Sequence, residues 1–339
     1  MKKVSLKDIA TEAGVSTALV SYVLTNKDKK ARIGEEMAKK IREIARKLNY
    51  QPNHIARSLK SGRSFTIGLI VADISNPFFA NIARTIEDEA KKHNYNVIFG
   101  SSDENVDKSQ DLINVLVNRQ VDGLIITPTE GSEQQIRQLQ EQKIPFVLID
   151  RFFPEIAASY IAVNNRESAA GAVSHLIKAG RKRIGMVAYK TTLHHISERI
   201  GGYQDALQQH GIKATNSLLK KARYSHLKED IRLAIGELLK GKHPADAIFF
   251  ATNSLAIEGL KYINTLGIRI PDDLAVITFD EGEALDLFYA PVTFVRQPIL
   301  EIGKAAVRVL LEQILDDTTA TTAICIDTTL VVRKSCGSR

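Results

Sequence analysis

The chain has 339 residues, a formal net charge of +7, 44% hydrophobic and 25% charged residues, two cysteines and no tryptophan. That allows two or three globular domains, and no apolar run is long enough for a transmembrane helix. No apolar stretch follows Lys2 and Lys3, so no secretory leader is expected, and Cys325 and Cys336 read as free thiols of a cytoplasmic protein without metal-ligand spacing. The charge is uneven: residues 1–63 hold 15 Lys and Arg against 6 Asp and Glu, a net of +9, while the remainder nets −2. A basic head on a near-neutral body is the footprint of a nucleic-acid binder.

The head opens with Leu6-Lys7-Asp8-Ile9-Ala10-Thr11-Glu12-Ala13. Ser5 three residues before Asp8 reads as a capping box, and Leu6, Ile9, Ala10 and Ala13 form an apolar stripe at helical spacing. Gly14 stops this helix through a left-handed backbone. Ser16 can cap a second helix whose Val20, Val23 and Leu24 turn inward, leaving Thr17, Ala18, Ser21 and Tyr22 outside. Two such helices around a tight turn read as a helix-turn-helix, which sets its second helix in the DNA major groove. The competing reading is a plain small helical domain. After the basic loop Lys27–Arg32, a third helix over Glu35–Asn49 closes the core with Met37, Ile41, Ile44, Ala45 and Leu48. Pro52 ends it at Gln51, and Asn53 can cap the short segment 54–60, too short to hold as a helix alone.

From Thr66 the pattern changes. Ile67-Gly68-Leu69-Ile70-Val71 reads as a strand buried on both faces. Helix 77–93, strand 96–99, helix 107–118, strand 123–127, helix 133–142 and strand 145–149 follow. A second series runs helix 167–179, strand 184–187, helix 198–210, strand 218–224, helix 228–240, strand 247–250, helix 255–266 and strand 274–278. Alternating β and α elements give doubly wound parallel sheets, here two α/β lobes behind an all-α head. Ligands bind beyond the carboxyl ends of such strands, so two facing lobes imply a cleft and hinge closure.

Leu6–Ser21, Leu48-Asn49-Tyr50-Gln51-Pro52-Asn53, Ile67-Gly68-Leu69-Ile70, Asn76-Pro77-Phe78-Phe79, Val121-Asp122-Gly123-Leu124-Ile125, Ile277-Thr278-Phe279-Asp280, Arg296-Gln297-Pro298 and Leu330-Val331-Val332-Arg333 together resemble the lactose-repressor/galactose-repressor (LacI/GalR) family of bacterial transcription regulators. The resemblance implies a helix-turn-helix domain at 1–50, a hinge helix and linker at 51–65, and a periplasmic-binding-protein-like core at 66–339. Lobe one would hold about 66–163 plus 296–323, and lobe two about 164–291 plus 324–339. It implies a cytoplasmic, nucleoid-associated repressor, a homodimer on a pseudo-palindromic operator, controlled by a small-molecule effector in the cleft. The family's tetramerising C-terminal helix is not expected after Arg333.

Residue by residue, Thr17, Ala18 and Tyr22 match base-reading positions, and Ser16, Ser21 and Asn26 match backbone-contacting ones. Ser5, Leu6, Tyr50, Asn53, Ala56 and Arg57 join the DNA set, and Leu59 matches the leucine that wedges into the minor groove. Tyr22 departs from the usual Arg, which can grip guanine O6 and N7 with two bonds. For the effector, Phe78 and Phe79 match cleft-lining positions, Asp73, Thr127 and Asp150 sit at strand ends, and Arg199 and Asp280 match the family's recurrent ligand pair. Asn253, in a Thr252-Asn253 pair that replaces a usual Asn-Asp, and Gln297 complete the set. An aromatic face with a carboxylate and a guanidinium suits a sugar, and would also hold a purine.

Rival readings are a catabolite-control regulator whose corepressor is a phosphorylated carrier protein, a purine-responsive repressor, an enzyme, and a solute-binding transport protein. No phosphate-binding Gly loop and no Gly-x-Ser-x-Gly elbow is present, so no catalytic residue and no cofactor is assigned. His194-His195, read as a loop pair, lacks a spaced partner for a metal, and none is assigned. No membrane partner is expected.

Overall fold

The computed structural model describes residues 4–25, 28, 31–50, 62–316 and 320–337. It divides at Ser64 into two units. The first is a three-helix head: α1 (Leu6–Ala13), α2 (Thr17–Leu24) and α3 (Glu35–Lys47). Ile9, Ala10, Ala13, Val20, Val23, Ala38, Ile41 and Ala45 are buried between them. Such a core forms because each helix carries one apolar stripe and must cover it.

The second unit holds two six-stranded sheets. The first sheet contains β1 (Thr66–Val71), β2 (Asn96–Ser101), β3 (Gly123–Ile126), β4 (Phe146–Ile149), β5 (Tyr160–Val163) and β11 (Ala323–Ile326), in the order β11-β5-β4-β3-β1-β2. The second contains β6 (Ile184–Tyr189), β7 (Leu219–Ala222), β8 (Ala247–Phe250), β9 (Ala275–Phe279), β10 (Thr293–Arg296) and β12 (Thr329–Val331), in the order β12-β10-β9-β8-β6-β7. Pairing is parallel except between β10 and β12. The central strands are buried from end to end, as sheets covered on both faces require.

The helices that shape the cleft are α4 (Pro77–Lys92), α5 (Val106–Asn118), α6 (Glu133–Glu141), α7 (Asn165–Lys178), α8 (His194–Gln209), α9 (Leu227–Leu239) and α10 (Asn253–Thr265). A short α11 (Glu283–Asp286) and a long α12 (Ile299–Asp316) follow. The chain passes between the sheets three times, after β5, after β10 and between β11 and β12. Three crossings between the lobes are where a hinge motion would act.

Several expected boundaries move. The segment 323–326 pairs with β5, so the first sheet runs past residue 323 and takes residues assigned above to the second lobe. Strands β5, β10, β11 and β12 have four residues or fewer and lack the flanking pattern that marks a strand. Helix α8 begins at His194, one turn before the expected Glu198. Helix α10 begins at Asn253 because Thr252 caps it, its hydroxyl accepting from the Leu255 N–H at 3.4 Å.

Candidate functional site

In the head, the Asp8 carboxylate accepts from the Ser5 N–H at 2.7 Å and Ser5 Oγ accepts from the Asp8 N–H at 3.4 Å, closing the capping box. Gly14 takes φ 71°, a left-handed conformation that glycine adopts without a Cβ penalty. Ser16 Oγ accepts from the Leu19 N–H at 3.2 Å and starts α2. With Val20 and Val23 buried, Thr17, Ala18 and Tyr22 are exposed on the opposite side, and Ser21 is half-buried beside them. Ser5 and Ser16 are exposed, and Leu6 and Tyr50 are half-buried. Asn26, Asn53, Ala56, Arg57 and Leu59, and with them the hinge helix, lie outside the described residues. The exposed face of a short, doubly capped helix is suited to groove insertion.

In the second unit a cavity lies between the two lobes, with about 460 Å³ of space that is partly open to solvent. Asp73, Phe78, Phe79, Asp150, Arg199 and Asp280 all line it. Thr127, Asn253 and Gln297 are buried and do not line this cavity. Gln297 donates to Asp280 Oδ1 at 2.6 Å, and Asn253 donates to Asn76 Oδ1 at 3.2 Å across the lobes.

The two aspartates occupy matching places: Asp150 follows β4 and Asp280 follows β9, the strand fourth in chain order within its lobe. Both hold positive φ, 65° and 70°, which costs a non-glycine residue energy and turns each carboxyl off its strand end. Arg199 sits between them on α8. Its Nη1 donates to the Ala251 carbonyl at 2.7 Å, its Nε donates to Asn165 Oδ1 at 2.8 Å, and its guanidinium lies 3.5 Å above the Phe279 ring. The ion pair to Asp280 is long, 3.8 Å. Helix α8 comes this close because Gly202 faces α7: a Cβ there would stand 2.0 Å from the Arg166 carbonyl oxygen.

Burial governs the electrostatics. It pushes the Asp150 carboxyl up to about 6, against the pull of Arg151 and Arg199 and with repulsion from Asp280 and Glu104. It raises Asp280 as well, opposed by Arg199 and by the Gln297 hydrogen bond. Burial also holds His195 well below its usual value, helped by Arg151 and Arg199, so this imidazole is neutral.

Sequence reasoning missed much of the wall. Arg151 is nearly buried and makes a two-pronged pair with Glu104, 2.7 Å on each side. His195 belongs to the first turn of α8 and lines the cavity, contrary to the loop placement above. Tyr224 donates to Asp73 Oδ2 at 2.7 Å across the lobes. Asn76, Tyr189, Thr252 and Ser254 complete the lining. Three polar atoms on this wall are buried without a hydrogen-bond partner: Asp150 Oδ1, Arg151 Nε and His195 Nδ1. Among the described residues no cluster of His, Cys, Asp and Glu is arranged to hold a metal.

Residues 5–53 match the family described as bacterial regulatory proteins, lacI family, and residues 173–336 match a periplasmic binding protein-like domain. The chain is 34% identical over 337 residues to the HTH-type transcriptional regulator RegA of Clostridium acetobutylicum, covering 98% of this chain and 99% of that one. It is 30% identical over 334 residues to catabolite control protein A of Priestia megaterium, again covering 98% and 99%. The solved lac repressor dimer bound to operator and the anti-inducer ONPF has the same fold, with a TM-score of 0.84 at 20% identity over 99% of this chain and 100% of that one.

Proposed function

The chain belongs to the lacI family of bacterial regulatory proteins and is a DNA-binding transcriptional regulator, and from that premise we propose that it grips a pseudo-palindromic operator as a homodimer whose affinity is set by a neutral sugar in the interlobe cleft. The observation that carries the effector reading is the lining itself. Asp73, Glu104, Asp150 and Asp280 face only two guanidiniums, Arg151 and Arg199. This excess of carboxyl groups repels a phosphate and welcomes hydroxyls, which both donate and accept. Phe78 and Phe79 add rings for the apolar face of a sugar. Neither a nucleotide nor a sugar phosphate suits that balance. Calorimetry against neutral sugars, their phosphates and nucleosides tests it: binding confined to neutral sugars is expected, and tight phosphate binding would overturn the reading.

Exposed apolar side chains support the dimer. Ile98 and Phe99 stand 38% and 60% exposed on the edge strand β2, and Leu287 stands 87% exposed beyond α11 in the second lobe. A second copy related by two-fold symmetry covers the same patches on both subunits.

On DNA, Thr17, Ala18 and Tyr22 are placed to read base edges, while the basic head supplies phosphate contacts. Tyr22→Ala should change the preferred operator base and leave the steep salt dependence of binding as it was. Sequence-selection profiles at two salt concentrations measure both. An unchanged site preference would show that α2 sits in the groove in another register.

A further inference from the structure

The second lobe concentrates positive charge at the end of its sheet opposite the cleft. Strands β6 and β8 are parallel neighbours with Ile184 beside Ala247, so the loops that enter them, residues 178–183 and 240–246, lie side by side. The Asp246 N–H donates to the Arg183 carbonyl at 3.0 Å and ties the two loops together. These loops hold Lys178, Arg181, Lys182, Arg183, Lys240 and Lys242 against Asp246, a net of +5, while the rest of residues 64–339 nets −7. We propose that this pole is a second DNA contact, at which a chain already seated on its operator takes hold of the phosphate backbone of another duplex without regard to sequence.

The charge is not neutralised within the lobe. Asp246 uses both carboxylate oxygens on backbone groups, accepting from the Lys182 N–H at 2.8 Å and the Arg183 N–H at 2.9 Å. Arg181 donates to two carbonyls, of Pro271 at 2.7 Å and of Asp246 at 3.5 Å, so no carboxylate offsets it. Glu237, at the end of α9, is taken by Lys220. Arg269, in the loop that enters β9, pairs with Asp273 at 2.7 Å and also feels Asp272, which bounds the basic pole on that side. Lys178, Lys182, Lys240 and Lys242 are exposed, and none forms a salt bridge among the described residues.

Neither loop carries an exposed large hydrophobic side chain. A protein partner draws its affinity from buried aromatic and apolar anchors, whereas a phosphate backbone needs only accessible cations. Lysine, a point charge on a flexible stem, follows phosphates that vary in position and reads no base. The loop that enters β7, on the other side of β6, adds the exposed Lys213. Neighbouring strands lie ~4.8 Å apart, so the starts of β8, β6 and β7 span about 10 Å. Over that length duplex DNA carries about six phosphate charges, enough to engage every exposed lysine of the pole.

Fluorescence anisotropy tests this on the full chain loaded to equivalence with an unlabelled, selected operator fragment, to which a labelled duplex of unrelated sequence is added. The second duplex should bind at about 50 mM salt, its log affinity falling against log salt with a slope of about −4, near one unit for each of the four exposed lysines in the paired loops. Lys182→Gln with Lys242→Gln should reduce that slope to about −2. Lys178→Glu, Lys182→Glu, Lys240→Glu and Lys242→Glu together should weaken the second duplex by about tenfold or more. Operator affinity and the thermal melt should stay as they were in both variants, since all four side chains are exposed. An operator-filled chain that takes no second duplex, or variants that take it as tightly and with the same salt slope, would overturn the proposal. Poly-glutamate in place of the labelled duplex probes an acidic protein partner: lysine-dependent binding of poly-glutamate without binding of the duplex would overturn it too.

Discussion

Arg199→Ala should destabilise the effector-binding unit by about 3–5 kcal/mol and abolish effector binding. The side chain is 2% exposed and makes hydrogen bonds to Asn165 and the Ala251 carbonyl, as well as the contact over Phe279. Removing it leaves Asp280 buried near Asp150 with its main counter-charge gone, and burial already pushes both carboxyls toward their neutral forms. Breaking a buried pair from one side costs more than removing both partners. The double variant Arg199→Ala with Asp280→Asn should therefore recover part of the lost stability. Arg199→Lys should not, because an ammonium cannot reproduce the planar fork that meets Asn165 and the Ala251 carbonyl at once. Urea unfolding of the three variants measures this. A loss below about 1 kcal/mol for Arg199→Ala would mean that the guanidinium does not hold the cleft together.

Asp150→Asn should act in the opposite sense on stability. The folded carboxyl titrates near 6, above the ~3.9 of an unfolded aspartate. Between those values the folded state keeps a proton that the unfolded state has lost. This contribution to stability is full below about pH 4, falls as pH rises through 6 and is lost above it. An amide carries no charge to desolvate, and asparagine tolerates the left-handed backbone at φ 65°. The variant should therefore gain about 2 kcal/mol at pH 7.5 and lose the slope between pH 4 and 6. Its effector affinity should fall about tenfold or more, because an amide oxygen accepts a hydroxyl proton less strongly than a carboxylate. Thermal melts across pH and calorimetry at pH 7.5 read the two effects. A variant both more stable and equally tight for effector would remove Asp150 from the site.

Local chemistry made the head readable. Ser5, Asp8, Gly14 and Ser16 act within a few residues of themselves, and the caps they were expected to make are present as hydrogen bonds or a left-handed turn. The alternating strands and helices of the core were equally legible, because buried parallel strands read as continuous apolar runs. The wall of the cleft was not. Arg151 and Glu104 are 47 positions apart, and Glu104 reaches Arg151 from two successive left-handed residues, Asp103 and Glu104, with φ 51° and 56°. No sequence pattern announces such a turn in acidic residues. The start of α8 was hidden for a similar reason. Its N-cap is Leu193, which has no capping side chain, while Glu130 from the other lobe fixes the residue before it. A helix end secured from 62 residues away leaves His195 looking like a loop residue. The four-residue edge strand β11 owes its existence to β5, some 163 positions away, and neither shows a period of its own.

Fluorescence anisotropy of a selected operator fragment, titrated with the full chain with and without the tightest-binding sugar, joins the head and the cleft in one experiment. The sugar should shift operator affinity by about tenfold or more in the natural sequence, since a ligand moves an equilibrium only by its differential affinity for two states. The Asp280→Ala chain should bind the same operator with no sugar dependence. Operator affinity that stays constant while calorimetry shows the cleft occupied would contradict this coupling.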